Sequence, residues 1–125
     1  MKIKQIIIST IFLDLMLSFY GKAFAQSKAV VLEPQSCISE ARLRSESSLI
    51  STHVQFINRK SFRVKAYWID FAGKRQHYFD LEPNQVRWQQ TFTSHPWVIT
   101  SSGENQPCLD IFLPPFLTDG VAIIE

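Results

Sequence analysis

The fold of this chain is decided by residues 63–93, which read RVKAYWIDFAGKRQHYFDLEPNQVRWQQTFT. Two segments of this stretch, 63–71 and 75–81, are rich in the aromatic and β-branched residues that favour strands. They are joined by a tight turn in which Gly73 supplies a positive φ at no steric cost. A second turn, built on Glu82-Pro83-Asn84, leads into a further strand. The stretch therefore predicts a β-hairpin and the strand that follows it.

The same alternation of short strands and turns continues on both sides of this stretch. Upstream, Val54 and Phe56 alternate with polar residues at the period of two that is typical of a half-buried strand. The sequence therefore predicts an all-β fold, a small antiparallel β-sandwich of about seven strands with no long helix. The predicted strands lie around residues 53–56, 63–71, 75–81, 86–93, 96–100, 109–113 and 121–124.

The N-terminus has the pattern of a secretory signal peptide. Lys2 and Lys4 precede the mostly apolar segment 6–17, and Ala23-Phe24-Ala25 is a small-x-small site. We expect removal of residues 1–25 and a secreted or periplasmic location, with a retained membrane anchor as the alternative. Residues 26–42 are then an irregular lead-in with about one helical turn at its end, and residues 43–125 form the sandwich.

Charge and cysteine content narrow the possible partners. The chain has 13 basic and 11 acidic residues, and the predicted signal peptide holds three of the basic and one of the acidic residues. The remainder is neutral, so there is no electrostatic reason to expect a nucleic acid partner. Cys37 and Cys108 are the only cysteines, and in an oxidising compartment such a pair is expected to form a disulfide. Two separate buried thiols are the alternative.

A set of short motifs extends from Leu43 to Asp119. The motifs are Leu43-Arg44-Ser45, Phe56-x-Asn58-Arg59, Trp68-x-x-Phe71-x-Gly73, Tyr78, Leu81-x-Pro83, His95-Pro96-Trp97, Phe112-x-Pro114 and Asp119-Gly120. In order and spacing, these motifs resemble the β domain of the von Hippel–Lindau tumour suppressor family. The match runs without a gap from Leu43 to Trp97.

The resemblance implies a β-sandwich that binds a peptide containing 4-hydroxyproline. Carried over residue by residue, the walls around the pyrrolidine ring fall on Trp68, Tyr78 and Trp97. The partners of the ring hydroxyl fall on Thr91 and His95. We expect no ubiquitin-ligase adaptor among the partners, because the resemblance does not extend to the family's helical α domain.

Three positions depart from the family pattern. Thr91 replaces a serine, which keeps the hydroxyl and adds a methyl group, while Gln90 replaces a histidine and Phe92 replaces a tyrosine. The last two positions seat the peptide backbone in the family, so the departures bear on the identity of the ligand. Thr91 shares a strand face with Gln89 and Thr93, away from Phe92, and its hydroxyl is therefore expected to point out of the core.

The residues themselves support more than one function. Three aromatic side chains that converge form a box for a saturated ring, although in a small sandwich such residues are more often plain core. We expect no cofactor and no metal site, because the three histidines lack metal-ligand spacing. We also expect no enzyme, because Thr91 lacks the glycine elbow of a nucleophile. The expected function is a peptide-binding module whose partner is a protein with a hydroxyproline-like ring. The alternatives are a carbohydrate-binding module and a structural domain that adds to another protein by edge pairing.

Overall fold

The protein is a sandwich of two four-stranded sheets, which the computed structural model describes over residues 29–125. The first sheet has the strand order β1-β8-β2-β5 and the second the order β4-β3-β6-β7. The predicted all-β sandwich is therefore confirmed, while the predicted signal peptide lies outside the described residues. The strands are β1 (Val30–Val31), β2 (Ser51–Asn58), β3 (Val64–Ile69), β4 (Arg75–Leu81), β5 (Val86–Phe92), β6 (Trp97–Ser101), β7 (Cys108–Phe112) and β8 (Gly120–Ile124).

The first sheet is mixed rather than fully antiparallel. Strand β8 runs parallel to both of its neighbours, β1 and β2, while the other strand pairs are antiparallel. The expectation of an antiparallel sandwich was wrong at this strand, because local patterns carry no information on which strands become neighbours. Strand β1 is an addition to the seven predicted strands, and its two residues are too few to show a period of two.

Aromatic rings fill the space between the sheets. Phe56 of β2 is fully buried, and its ring centroid lies 5.4 Å from that of Phe79, 5.5 Å from Trp97 and 6.4 Å from Phe112. The tilted and edge-on arrangements suit the quadrupoles of the rings. Trp97 is thus part of the central core.

The lead-in covers the outer face of the second sheet. A small cluster of Ile69, Val98 and Ile111 lies there, with Leu43 and Cys108 packed against it. The 3₁₀ helix Cys37–Arg42 lies beside β7, close to the predicted helical turn. Within the described residues, no helix is long and apolar enough to cross a membrane.

Two links hold the 3₁₀ helix in place. The predicted disulfide joins Cys37 to Cys108, with 5.7 Å between the Cα atoms and a sequence separation of 71. On the chain-entropy model such a closure stabilises the fold by roughly 4 kcal/mol. The guanidinium of Arg75 also donates to both carboxylate oxygens of Glu40, each at 2.7 Å. The disulfide prediction is confirmed.

The turn between β3 and β4 is fixed by one aspartate and one glycine. The Asp70 carboxylate accepts the backbone N–H of Lys74 at 2.8 Å and that of Ala72 at 2.9 Å. The hydrogen bond from Lys74, followed by that from the Gln76 amide, lowers the pKa of Asp70. Gly73 has a φ of 80°, and a Cβ there would lie 3.1 Å from the carbonyl oxygen of Leu43. This hairpin holds three of the aromatic residues described next.

Candidate ligand-binding site

A pocket of about 250 Å³ opens where β4 and β5, each an edge strand of its sheet, border the sandwich interior. All five ligand residues expected from the sequence lie in its lining. The volume is below the range of about 300–1,000 Å³ that drug-sized ligands occupy, and suits a single ring. The lining residues are Trp68, Phe71, Tyr78, Gln89, Gln90, Thr91, Phe92, His95 and Trp97.

The two tryptophans stand side by side on one face of the second sheet. Trp68 of β3 pairs directly with Trp97 of β6, and directly opposed residues share a face. The Trp68 indole N–H donates to the Ser45 hydroxyl at 2.7 Å, and the Trp97 indole N–H donates to the Thr91 hydroxyl at 3.0 Å. Both indole donors are thus used within the protein, and only ring surface is left for a ligand.

A β-bulge turns Tyr78 toward the pocket. Ala66 pairs with Phe79 and Tyr67 pairs with His77, so Tyr78 is the extra residue on β4. Bulges often redirect a side chain at a functional site. The Tyr78 ring stands edge-on to Trp97, with 5.0 Å between the ring centroids, and is 48% exposed. It therefore forms the accessible wall of the pocket.

Thr91 points into the sandwich rather than away from it. Thr91 is 4% exposed, which contradicts the expectation that its hydroxyl points out of the core. The hydroxyl oxygen accepts the Trp97 indole N–H, so its own proton remains available as a donor. Thr91 thus contributes an oriented hydroxyl to the pocket floor.

His95 contributes a buried nitrogen without a partner. Its ring packs against Trp68, Phe71 and Phe92, with centroid distances of 5.5, 5.5 and 5.3 Å. Among residues 29–125, His95 Nε2 is the one buried side-chain polar atom that has no hydrogen bond. Such atoms are rare in folded proteins and call for a specific explanation.

The surroundings of His95 set its protonation. Burial lowers the pKa of His95, and a hydrogen bond to the backbone of Glu46 opposes that effect. Because this hydrogen bond favours the protonated ring, the backbone group of Glu46 is the acceptor and the ring is the donor. Nε2 has no partner, so the nitrogen that donates is Nδ1. Nε2 of the neutral ring is then an acceptor.

The comparison with known families agrees with this geometry. A family model described as the VHL beta domain matches residues 43–119, which include every residue of the pocket lining. The chain belongs to the VHL β-domain family. The matched segment also contains Ser45, whose hydroxyl orients Trp68.

The pocket of this VHL β-domain protein is partly enclosed by the sandwich. The five expected residues converge, but Trp97 is 2% exposed, so they do not form one solvent-accessible patch. Trp97 and Thr91 form the floor, while Tyr78 and Phe71 form the exposed rim. A ligand would therefore enter the sandwich edge-on rather than lie across its surface.

Five residues that shape the pocket were not among the expected site residues. Phe71 lines the pocket and Ser45 holds Trp68, and both belong to motifs that carried the family resemblance. Gln89 also lines the pocket, and no sequence signal distinguished it. Gln90 and Phe92, two of the three departures from the family pattern, also lie in the lining.

A second cleft of about 350 Å³ adjoins the pocket. It shares Phe71, Phe92 and His95 with the pocket and is completed by residues 47–49. The Ser48 and Thr93 hydroxyls are 2.7 Å apart, which ties this segment to the turn before His95. The pocket and the cleft together give a ligand chain a continuous path across the rim.

The chemistry of the lining is neutral. The nine residues of the pocket include no carboxylate, lysine or arginine. Within residues 29–125, no group of three or more His, Cys, Asp and Glu side chains is placed to hold a metal ion. The arrangement suits an uncharged ring with a polar substituent.

Proposed function

We propose that this chain is an exported, non-catalytic module that binds a hydroxyproline-like ring in a peptide or protein partner. The observation that carries the proposal is the buried, unpaired Nε2 of His95, which lies in the same aromatic-walled pocket as Thr91. A ligand hydroxyl would donate to His95 Nε2 and accept the Thr91 proton. Trp68, Tyr78 and Trp97 would supply dispersion contact to the faces of the ring.

The peptide backbone would be seated by different groups from those of the family pattern. The Gln90 side-chain amide donates to the Thr91 backbone oxygen at 2.8 Å, and the Gln89 amide donates to the Gln90 backbone oxygen at 2.9 Å. Both carbonyls belong to β5, an edge strand. A ligand backbone that approached this edge would exchange hydrogen bonds with the two amides.

The same features bear on the two alternatives. A carbohydrate module usually offers an accessible aromatic platform, whereas Trp97 is buried at the pocket floor. A purely structural domain would bury all three aromatic walls, whereas Tyr78 is half-exposed. The Cys37–Cys108 disulfide supports export, because disulfides persist in oxidising compartments.

The proposal is tested by a binding screen with matched ligands. We expect calorimetry of the full chain, expressed as encoded, to show saturable binding to peptides that contain 4-hydroxyproline. The same peptides with proline should bind at least about tenfold more weakly, because the buried hydroxyl partners would stay unpaired. Binding to oligosaccharides alone, or equal binding to both peptide forms, would contradict the proposal.

Binding should also depend on pH through His95. Its lowered pKa keeps the ring neutral at and above its ordinary value near 6.5, so the affinity should be constant there. As the pH falls through the lowered pKa, protonation removes the acceptor, and the affinity should fall. Titrations between about pH 4 and pH 8, with circular dichroism to confirm folding, would measure this. An affinity that rises on acidification would contradict the assigned role of Nε2.

A further inference from the structure

The outer face of the first sheet carries two apolar rows. Residues directly opposite one another across the sheet share a face. The strand pairing places two rows of side chains across this face. The first row is Val31, Val121, Gln55 and Trp88, and the second is Ile123, Ile57 and Val86. Six of these seven side chains are apolar, and none is charged.

The rims of this face are open to solvent and its centre is partly so. Val31 is 61% exposed, Trp88 55% and Val86 46%, while the other four residues are half-buried. Single exposed apolar residues are ordinary, but a contiguous apolar face marks a contact surface. The ring pocket is lined from β5 by residues 89–92, and none of the seven residues of the two rows lies in its lining, so the two surfaces share no residue.

The sequence of β8 gives independent support for a covered face. After Gly120 it reads Val-Ala-Ile-Ile, which is an unbroken apolar run. A strand with one face exposed to solvent is expected to alternate apolar and polar residues instead. Ala122 and Ile124 face the core and are fully buried. Val121 and Ile123 face outward, so β8 has the composition of a strand that is buried on both sides.

Gln55 identifies the kind of molecule that would cover the face. It lies between Val121 and Trp88, and within the described part of the chain its side-chain amide has no hydrogen-bond partner. An apolar partner would leave that amide unpaired at a cost of about 1–3 kcal/mol. A primary amide is both donor and acceptor, so two copies of Gln55 related by a two-fold axis satisfy each other.

We propose that this face packs against the same face of a second copy of the chain, around a two-fold axis near Gln55. The two rows hold seven residues on strands about 4.8 Å apart, and each residue of a row takes up about 6.6 Å of strand, which gives a flat area of roughly 220 Å² per copy. Because side chains project from it, the two copies would bury on the order of 1,000 Å² or less in total, which is the class of weak interfaces. The dimer is therefore a weak one that depends on concentration.

A charge swap at Gln55 tests this dimer. We expect sedimentation velocity of the full chain, expressed as encoded, to show a monomer at low concentration and a dimer as the concentration rises. Gln55→Glu and Gln55→Lys should each sediment as a monomer, because two like charges would face each other across the axis. An equimolar mixture of the two variants should restore the dimer. Gln35→Glu and Gln35→Lys are matched controls on an exposed glutamine outside this face, and both should dimerise like the wild type.

The possible outcomes separate this dimer from other arrangements. A wild-type chain that stays monomeric at every concentration would overturn the proposal. So would Gln55 variants that dimerise as the wild type does, since the contact would then lie elsewhere. Loss of the dimer in both variants without recovery on mixing would overturn the two-fold arrangement around Gln55. None of these results depends on whether the ring pocket has a ligand.

Discussion

Replacement of Trp97 by alanine is expected to lower the free energy of unfolding by about 3–5 kcal/mol. The side chain is 2% exposed, and its ring packs against Phe56, Tyr78 and Phe79 with centroid distances of 5.5, 5.0 and 6.1 Å. The substitution also removes the N–H that Thr91 accepts. Since single domains are stable by only about 5–15 kcal/mol, this loss removes a large share of the stability of the fold.

Urea unfolding followed by circular dichroism measures this loss. Trp88→Ala is the matched control, because Trp88 is 55% exposed on the outer sheet face. At concentrations where the chain is monomeric, the control should change the stability by no more than about 0.5 kcal/mol. Equal losses in the two variants would show that Trp97 is not a core residue. Because Trp97 is buried, Trp97→Ala reports mainly on the fold and is a poor probe of ligand binding.

Local sequence patterns predicted much of this fold for identifiable physical reasons. The Ala72-Gly73-Lys74 turn requires a positive φ, and the structure has Gly73 at 80° between β3 and β4. The spacing of the family motifs predicted that Trp68 and Trp97 would meet, and they are direct neighbours on paired strands. Turn chemistry and motif spacing are local quantities, so both are readable from one sequence.

The orientation of β5 was not predictable from its alternation. A period of two shows which residues share a face, but not which face is inside. In β5 the more polar face is the inner one: the Arg87 guanidinium lies 4.7 Å from the Phe79 ring centroid, and Thr91 is buried. The more apolar face, with Val86 and Trp88, is exposed. A polar inner face is possible because β5 is an edge strand, and its inner face borders the pocket rather than the apolar core.

The bulge at Tyr78 was also beyond local patterns. Regular alternation along β4 places Tyr78 and Phe79 on opposite faces, whereas both contact Trp97. The extra residue arises from the pairing of β4 with β3, which is a tertiary feature. The unpaired nitrogen of His95 likewise depends on the packing of Trp68, Phe71 and Phe92 around the ring. The sequence thus predicted the members of the site but not its depth or its hydrogen bonding.

The second large effect is expected in the discrimination between hydroxylated and unhydroxylated ligands. For the wild type, an unhydroxylated ring would leave both His95 Nε2 and the Thr91 hydroxyl unpaired, each at about 1–3 kcal/mol. In His95→Phe, one of these two costs disappears, because the new ring keeps the packing and has no acceptor. The ratio of the two dissociation constants should therefore shrink by roughly 5- to 150-fold.

His95 is a cleaner position for this experiment than Thr91. The Thr91 hydroxyl also accepts the Trp97 N–H, so Thr91→Val would leave a buried donor unpaired and disturb the floor of the pocket. His77→Phe is the matched control, because His77 is exposed on β4 and contacts Asp80 rather than the pocket. Calorimetric titration of both variants with a hydroxyproline peptide and its proline analogue gives the four dissociation constants that are needed.

The informative quantity is the change in the ratio, not the loss of affinity for either peptide. A variant that merely weakened the fold around His95 would lower both affinities by the same factor and leave the ratio unchanged. A variant that removed the acceptor would weaken binding of the hydroxylated peptide far more than that of its analogue. An unchanged ratio in His95→Phe would therefore show that Nε2 does not contact a ligand hydroxyl, even if the pocket still bound the ring. The observation that carries the proposed function would then have to be explained by the fold alone.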